Sequence, residues 1–180
     1  MTDLETGQKN ELLTLHDSSS FKGSIIAGKL YYFNNGSIES LDLAKKETVV
    51  IYTVPAGETA VNNVLFYEDC ILLERNTGLY QLGYEDTEPE KLTDLIPTTS
   101  AFDRMGDELY YVAEMAADKE ALISFNLLTG KVTEIAKTDD YTYTEIVMSE
   151  DGYYFTDPSD TKGGLFYYDF DTDTATKISK

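Results

Sequence analysis

The chain has no tryptophan, one histidine, one cysteine and four prolines among its 180 residues. Each scarcity removes a class of chemistry. A lone Cys70 can form no internal disulfide, and inside "CILLE" it reads as a small buried hydrophobe rather than a reactive thiol. Zinc sites draw on several His or Cys ligands, which this chain does not have. His16 sits in "LHDSSS", a loop sequence with no cysteine or second histidine beside it. A Ser-His-Asp arrangement drawn through it is set aside in favour of a solvated surface imidazole. No Gly-rich phosphate loop stands between a strand and a helix. No cofactor and no metal site is expected, and no enzymatic activity.

Basic residues are scarce too, 14 against 33 acidic ones, for a formal charge of −19. Phosphate backbones repel such a surface, which argues against a nucleic-acid partner, and anionic membrane surfaces are disfavoured for the same reason. The acidity reads first as a device for solubility, with a basic partner or cation binding as the alternatives. No apolar run reaches the roughly 18 residues of a membrane-crossing helix, so no transmembrane segment is expected. The start "MTDLETGQKNELLTL" lacks the basic and apolar stretches of a secretory signal; a removed signal, or a longer parent chain, would account equally well for that.

What the chain does have is 14 tyrosines and 8 phenylalanines, set among Thr, Val and Ile, the residues that suit a pleated, half-buried surface. No stretch keeps a helical period, so the fold class is all-β. One sentence is written four times. "LYYF" at 30–33 returns as "CILL", "LYYV" and "GYYF", placing Tyr31, Ile71, Tyr110 and Tyr153 at 40-, 39- and 43-residue intervals. A second marker sets Ile38, Leu79, Leu122 and Leu165 at intervals of 41, 43 and 43. The third is the most regular: nine residues separate Asp42 from Ile51, Gly83 from Leu92, Asn126 from Ile135 and Asp169 from Ile178. Asp3 and Leu12 repeat that step at the N-terminus.

Each unit therefore holds four short strands, a to d. The a strands fall near 24–27, 64–67, 100–104 and 145–149, the b and c strands are the first two markers, and the d strands are "ETVVIYT", "EKLTDL", "KVTEIAK" and "TATKISK". Turn residues that tolerate positive φ divide them, as at Asn35-Gly36 and Gly163-Gly164. Four strands in about forty residues describe a β-propeller blade. Continuously apolar b strands and alternating d strands favour blades over a sandwich, because the inner strands of a blade are covered on both faces. "TVVIYT" is less polar than that pattern asks, and the sequence offers no reason. The repeats run over 21–53, 61–95, 98–137 and 144–180, after a spare outer strand at 3–15.

The last unit, with Ser149, Asp151 and Gly152 turning into the aromatic strand at 153–155, resembles the bacterial propeller repeats of TolB-like proteins. "GKLYYFNNGSIESLDL" is similar to the Tyr-rich propeller blades of bacterial surface proteins, which are akin to those of low-density-lipoprotein-receptor-related proteins. Only the fourth unit keeps the whole turn signature; "IIAGK", "FYEDC" and "RMGDE" stand in its place elsewhere. The resemblance implies scaffolding and binding, often in the cell envelope, without naming a ligand. The strand at 3–15 competes with 174–180 for one outer position. That leaves three readings: part of a larger propeller, closure between chains through open blade edges, or a four-bladed ring.

Antiparallel neighbours send alternate connections to opposite ends of a blade. The b–c and d–a loops share one end, and these are the loops that vary in length: "NNGS", "AEMAADKE" and "TDPSDTKG" among the first, "HDSSSFKG", "VPAGETAVNN" and "TDDYTYT" among the second. Variable loops on a constant scaffold are where binding residues gather. Arg75, Tyr141, Tyr143, Asp157 and Asp160 are the candidates there, each against the plainer possibility of packing or a solvated loop. Arg is favoured at interface anchors, and the two tyrosines offer ring faces to a sugar or peptide. "DFDTDT" at 169–174 opens like a calcium loop but lacks the later Gly and Glu, and it aligns with the plain hairpin turns "DLAKKE" and "NLLTGK". The expected function is non-enzymatic binding of a protein or peptide at the cell envelope; a carbohydrate-binding domain, or a structural part of a larger enzyme, is the alternative.

Overall fold

The computed structural model describes residues 22–117, 119–137, 143–157, 159 and 164–179. Among them there are strands and turns and no helix. Sixteen strands form four antiparallel sheets of four, each laid out in chain order. The first holds β1 Gly23–Ile26, β2 Lys29–Asn34, β3 Ser37–Asp42 and β4 Thr48–Thr53. The second holds β5 Val61–Phe66, β6 Ile71–Arg75, β7 Gly78–Leu82 and β8 Glu90–Thr93. The third holds β9 Pro97–Met105, β10 Glu108–Ala116, β11 Lys119–Asn126 and β12 Val132–Lys137, and the fourth β13 Glu145–Ser149, β14 Gly152–Asp157, β15 Gly164–Asp169 and β16 Thr174–Lys177. These are propeller blades. The spare outer strand expected at 3–15 lies outside the described residues.

Several boundaries move, each for a local reason. Ala27 is not the end of a strand. With Gly28 it forms the turn between β1 and β2, at φ 48° and 78°, and Asn35-Gly36 repeats the geometry at 47° and 79°. Two central residues in the left-handed region match the twist of a two-residue hairpin. "AEMAADKE" is not a free loop either: β10 runs on to Ala116 and β11 begins at Lys119, past a register shift between Glu114 and Ala116. "VPAGETAVNN" is shorter than it reads, because β5 starts at Val61.

The nine-residue marker has two physical ends. At its start, Asp42 accepts from the backbone N–H of Ala44 and Lys45 at 3.0 and 2.9 Å. Asn126 does the same for Leu128 and Thr129, at 3.1 and 2.9 Å, and Asp169 for Asp171 and Thr172, both at 2.9 Å. The side chain thus stands in for the turn's own hydrogen bonds and locks the c–d hairpin. These bonds also hold the carboxyls of Asp42 and Asp169 below their ordinary range. "DFDTDT" is therefore a hairpin turn whose first carboxylate is already engaged. The second sheet reverses the roles, Asp86 reaching back to accept from Gly83 N–H at 3.0 Å.

At its far end the marker is a β-bulge. In β4 the register passes from Val50 to Tyr52 and skips Ile51; in β12 it passes from Glu134 to Ala136 and skips Ile135. In the fourth sheet Ile178 and Ser179 both donate to the Leu165 carbonyl, at 2.9 and 3.3 Å. Two residues then oppose one, and the strand turns by one position. This accounts for "TVVIYT". Before the bulge Val49 and Val50 stay exposed, while after it Ile51 and Tyr52 both reach the core.

The chain divides into two compact units, Met1–Lys91 and Leu92–Lys180. In the first, Ile38, Tyr52, Val64, Ile71, Leu73 and Leu82 make the core between sheets one and two. Tyr31 packs on Tyr84 with ring centroids 4.5 Å apart, and Lys22 donates to the side-chain oxygen of Asn63. In the second unit Tyr110, Val112, Leu122, Tyr143, Ile146, Tyr153 and Phe155 fill the space between sheets three and four. There Asp103 accepts from the Met148 N–H at 2.7 Å, tying β9 to β13. Burying one such large side chain contributes about 1.5–3 kcal/mol. The b strands are not all enclosed on both faces: Tyr111 in β10 is fully buried, whereas Tyr154 in β14 is 40% exposed, in a cross-strand row with Val147 and Tyr167.

Candidate functional site

Arg75 ends β6 directly opposite Gly78, which has no side chain to crowd it. The guanidinium crosses to β4, where the bulge at Ile51 has turned Tyr52 inward. Nη2 donates to the Tyr52 hydroxyl at 2.7 Å and Nη1 to Glu58 Oε2 at 2.6 Å. Glu58 is set by a tight turn, its N–H donating to the Pro55 carbonyl at 3.1 Å, with Gly57 at φ 92° supplying the left-handed step. The Tyr80 ring lies 5.0 Å from the guanidinium carbon, a cation–π contact, and its hydroxyl bonds the Thr77 hydroxyl at 2.9 Å. A d–a loop and the end of a b strand thus meet at one end of the first unit, as antiparallel order requires.

The Arg75 side chain is only 6% exposed, against 44% for Glu58. Burial pulls the guanidinium pKa down, but the Glu58 carboxylate and the Tyr52 hydroxyl outweigh it, and the net shift is upward. Arg75 is a fixed cation. Its Nε is buried and has no hydrogen-bond partner among the described residues. A buried N–H left without an acceptor costs about 1–3 kcal/mol, a cost that the bonds to Glu58 and Tyr52 offset.

A cavity of about 720 Å³, lined in part by Arg75, opens at this end of the unit, a size that suits a small ligand or a few peptide side chains. One wall is β4 from Val50 to Thr53; Pro55, Glu58 and Thr59 of the following loop form the second. Thr77 and Tyr80 with Thr87, Glu88 and Pro89 close the third. The lining mixes apolar walls with hydroxyls, one guanidinium and two carboxylates. That set offers hydrogen bonds, an ion pair and ring faces, which is the chemistry of recognition.

The other candidates fall elsewhere. Tyr143 is 2% exposed, its ring 5.1 Å from Phe155 and its hydroxyl 3.2 Å from that of Tyr153. It packs inward and presents no ring face to a sugar, because it is part of the core between the third and fourth sheets. Asp157 is 5% exposed and turned to its own loop, accepting from the Ser159 N–H at 2.9 Å and hydroxyl at 2.7 Å. Tyr141 and Asp160 lie outside the described residues. Among the described residues no group of three or more His, Cys, Asp and Glu side chains is arranged to hold a metal ion, and no helix is long and apolar enough to cross a membrane. Sequence reasoning missed Tyr52 and Glu58, the partners that make Arg75 a site. A tyrosine in the d strand and a glutamate after Pro55 and Gly57 were the available signals.

No protein-family model and no curated protein matches the chain by sequence. Solved structures do match. TolB from Acinetobacter baumannii superposes with a TM-score of 0.68 at 14% identity, over 99% of this chain and 47% of that one. A protein assigned as TolB in Agrobacterium tumefaciens gives 0.62 at 14% identity, over 85% of this chain and 58% of that one. The extracellular domain of a protein assigned as a hybrid two-component system in B. thetaiotaomicron gives 0.61 at 16%, over 92% of this chain and 22% of that one. At such identities the likeness is one of fold, and it is that of TolB-like propellers. The chain spans about half the length of the TolB chains it matches.

Proposed function

We propose that the chain is a non-enzymatic binding module built from propeller blades, that its ligand is a protein or peptide, and that it works outside the bacterial cytoplasm. One observation carries the reading: the Arg75 cavity sits where a variable loop meets an open sheet edge, with an aromatic-lined cation at its floor. Arg and Tyr are the residues that anchor protein interfaces when they are held rigid. The compartment is supported by the resemblance of the repeats to envelope propellers. Tyr141 and Asp160 stay in the proposal through the loops they occupy in the sequence, whereas Tyr143 and Asp157 are packed within the second unit.

The test is a selection from a random peptide library displayed on phage, run on the intact chain, with peptides about ten residues long, the upper length of an ordinary strand. Enriched peptides should bind the chain and lose at least about tenfold affinity on Arg75→Met, as expected for one lost hydrogen bond to a charged group. A library that enriches nothing, or peptides indifferent to Arg75→Met in a variant that still folds, overturns the reading. A second reading, carbohydrate binding, is favoured by the Tyr and Thr hydroxyls of the lining; a glycan array with and without calcium should then give signal that Tyr80→Ala removes, and silence in both conditions ends it.

A further inference from the structure

Resting on that reading of the cavity, we propose that its occupant is an extended, basic segment of a partner protein that adds as a further strand along β4 and passes over the cavity that Arg75 lines.

Four observations converge on it. β4 is the edge of its sheet, paired to β3 alone among the described strands. Its apolar residues at that edge are open, Val49 at 61% and Val50 at 56% exposure, where an outer strand ordinarily carries polar side chains. An unpaired, apolar edge is the template on which strand addition works, main-chain bonds giving affinity and alternate side chains giving specificity. The same strand, from Val50 to Thr53, is a wall of the cavity, so a segment laid along the edge passes over it and points every second side chain inward. The bulge at Ile51 interrupts the edge, which limits the addition to a short segment.

The chemistry of the cavity narrows the ligand further. Each Nη atom of Arg75 already holds one acceptor, Glu58 or Tyr52, and keeps one further N–H, so the guanidinium still has donors to offer at the wall of the cavity. The cation is already neutralised by Glu58, and Glu88 adds an exposed carboxylate at the rim. With a formal charge of −19 over the chain, the field at the cavity mouth draws lysine and arginine and repels acidic peptides.

The experiment uses the peptides enriched on the intact chain, resynthesised with alternate backbone amides N-methylated, and follows binding by fluorescence anisotropy. Methylating the amides of one parity should weaken binding at least about tenfold, the other parity far less, because strand addition bonds through alternate residues. Val50→Lys should weaken it comparably while leaving the urea midpoint unchanged, since that side chain lies in solvent. The enriched peptides should carry an excess of basic residues, and Glu88→Lys should reduce their affinity. Peptides that bind, depend on Arg75 and ignore both methylation patterns and Val50→Lys would overturn strand addition and leave the binding module standing. A selection that yields no peptide removes both.

Discussion

In the first unit, the loop that follows β4 and the end of β6 meet over Arg75, Tyr52 and Glu58. In the second, the corresponding place is filled by Tyr143, Tyr153 and Phe155. The positions are equivalent by count: Arg75 and Asp157 each lie four residues past the first marker, Tyr52 and Ala136 ten past the residue that locks the c–d hairpin. Where the outer strand offers only Ala136, the loop sends in Tyr143 and rings pack to exclusion, with Phe155 against Phe166 at 5.2 Å. Where the outer strand offers Tyr52, the loop sends a carboxylate, the strand end supplies the cation, and the space stays partly open. The scaffold is the same in both. The difference shows that a blade's hairpins and bulges tolerate either a sealed or an open seam at their variable end.

The comparison can be broken where it is strongest. Phe155→Ala should cost about 3–5 kcal/mol in urea unfolding, as for other fully buried phenylalanines, and more than Leu73→Ala at the equivalent position of the second sheet. Equal or reversed costs would mean that the aromatic seam is no better packed than the polar one. The polar seam is sharpened by a double-mutant cycle of Arg75→Met and Glu58→Gln, expected to show a coupling of about 1 kcal/mol, kept small because Glu58 is well solvated. A coupling near zero would make Tyr52 and Tyr80, not the ion pair, what holds Arg75.

The smallest effect concerns what the units share. Asp42 in the first and Asp169 in the second have carboxyl pKa values lowered chiefly by backbone N–H groups. A lowered folded value means that the stabilisation is present above the unfolded value, about 3.9, and fades as pH falls through the folded one. Asp42→Ala and Asp169→Ala should therefore each lower the urea midpoint at neutral pH and converge on the parent at strongly acid pH. A deficit that persists unchanged into acid would show that the charge on these residues is not what locks the hairpins.

How much of this was legible in advance depends on the range of the interaction. Tyr31, Tyr110 and Tyr153 announce the b strands because aromatic pairs that follow a Gly-containing turn have few other uses in a short, all-β unit. Ala27 reads as the end of the first strand but lies in the turn, since alanine gives no sign that it will adopt a left-handed conformation. Arg75 could be singled out, being one of the chain's two arginines and next to a variable loop. Tyr52 could not, because a period of two places it beside Val50 until the bulge at Ile51 breaks the count. Tyr143 and Tyr52 look alike in the sequence, yet one fills a core and the other partners a cation.

Residue order alone determined that four like sheets would form and where their hairpins would lock, because those outcomes depend on neighbours within about ten positions and on side-chain bonds to the nearest backbone. Which seam would close and which would stay open was decided only by assembly. That outcome turns on whether a ring or a charge from one sheet meets a small or a large residue on the next, a match between segments the chain brings together only once it has folded.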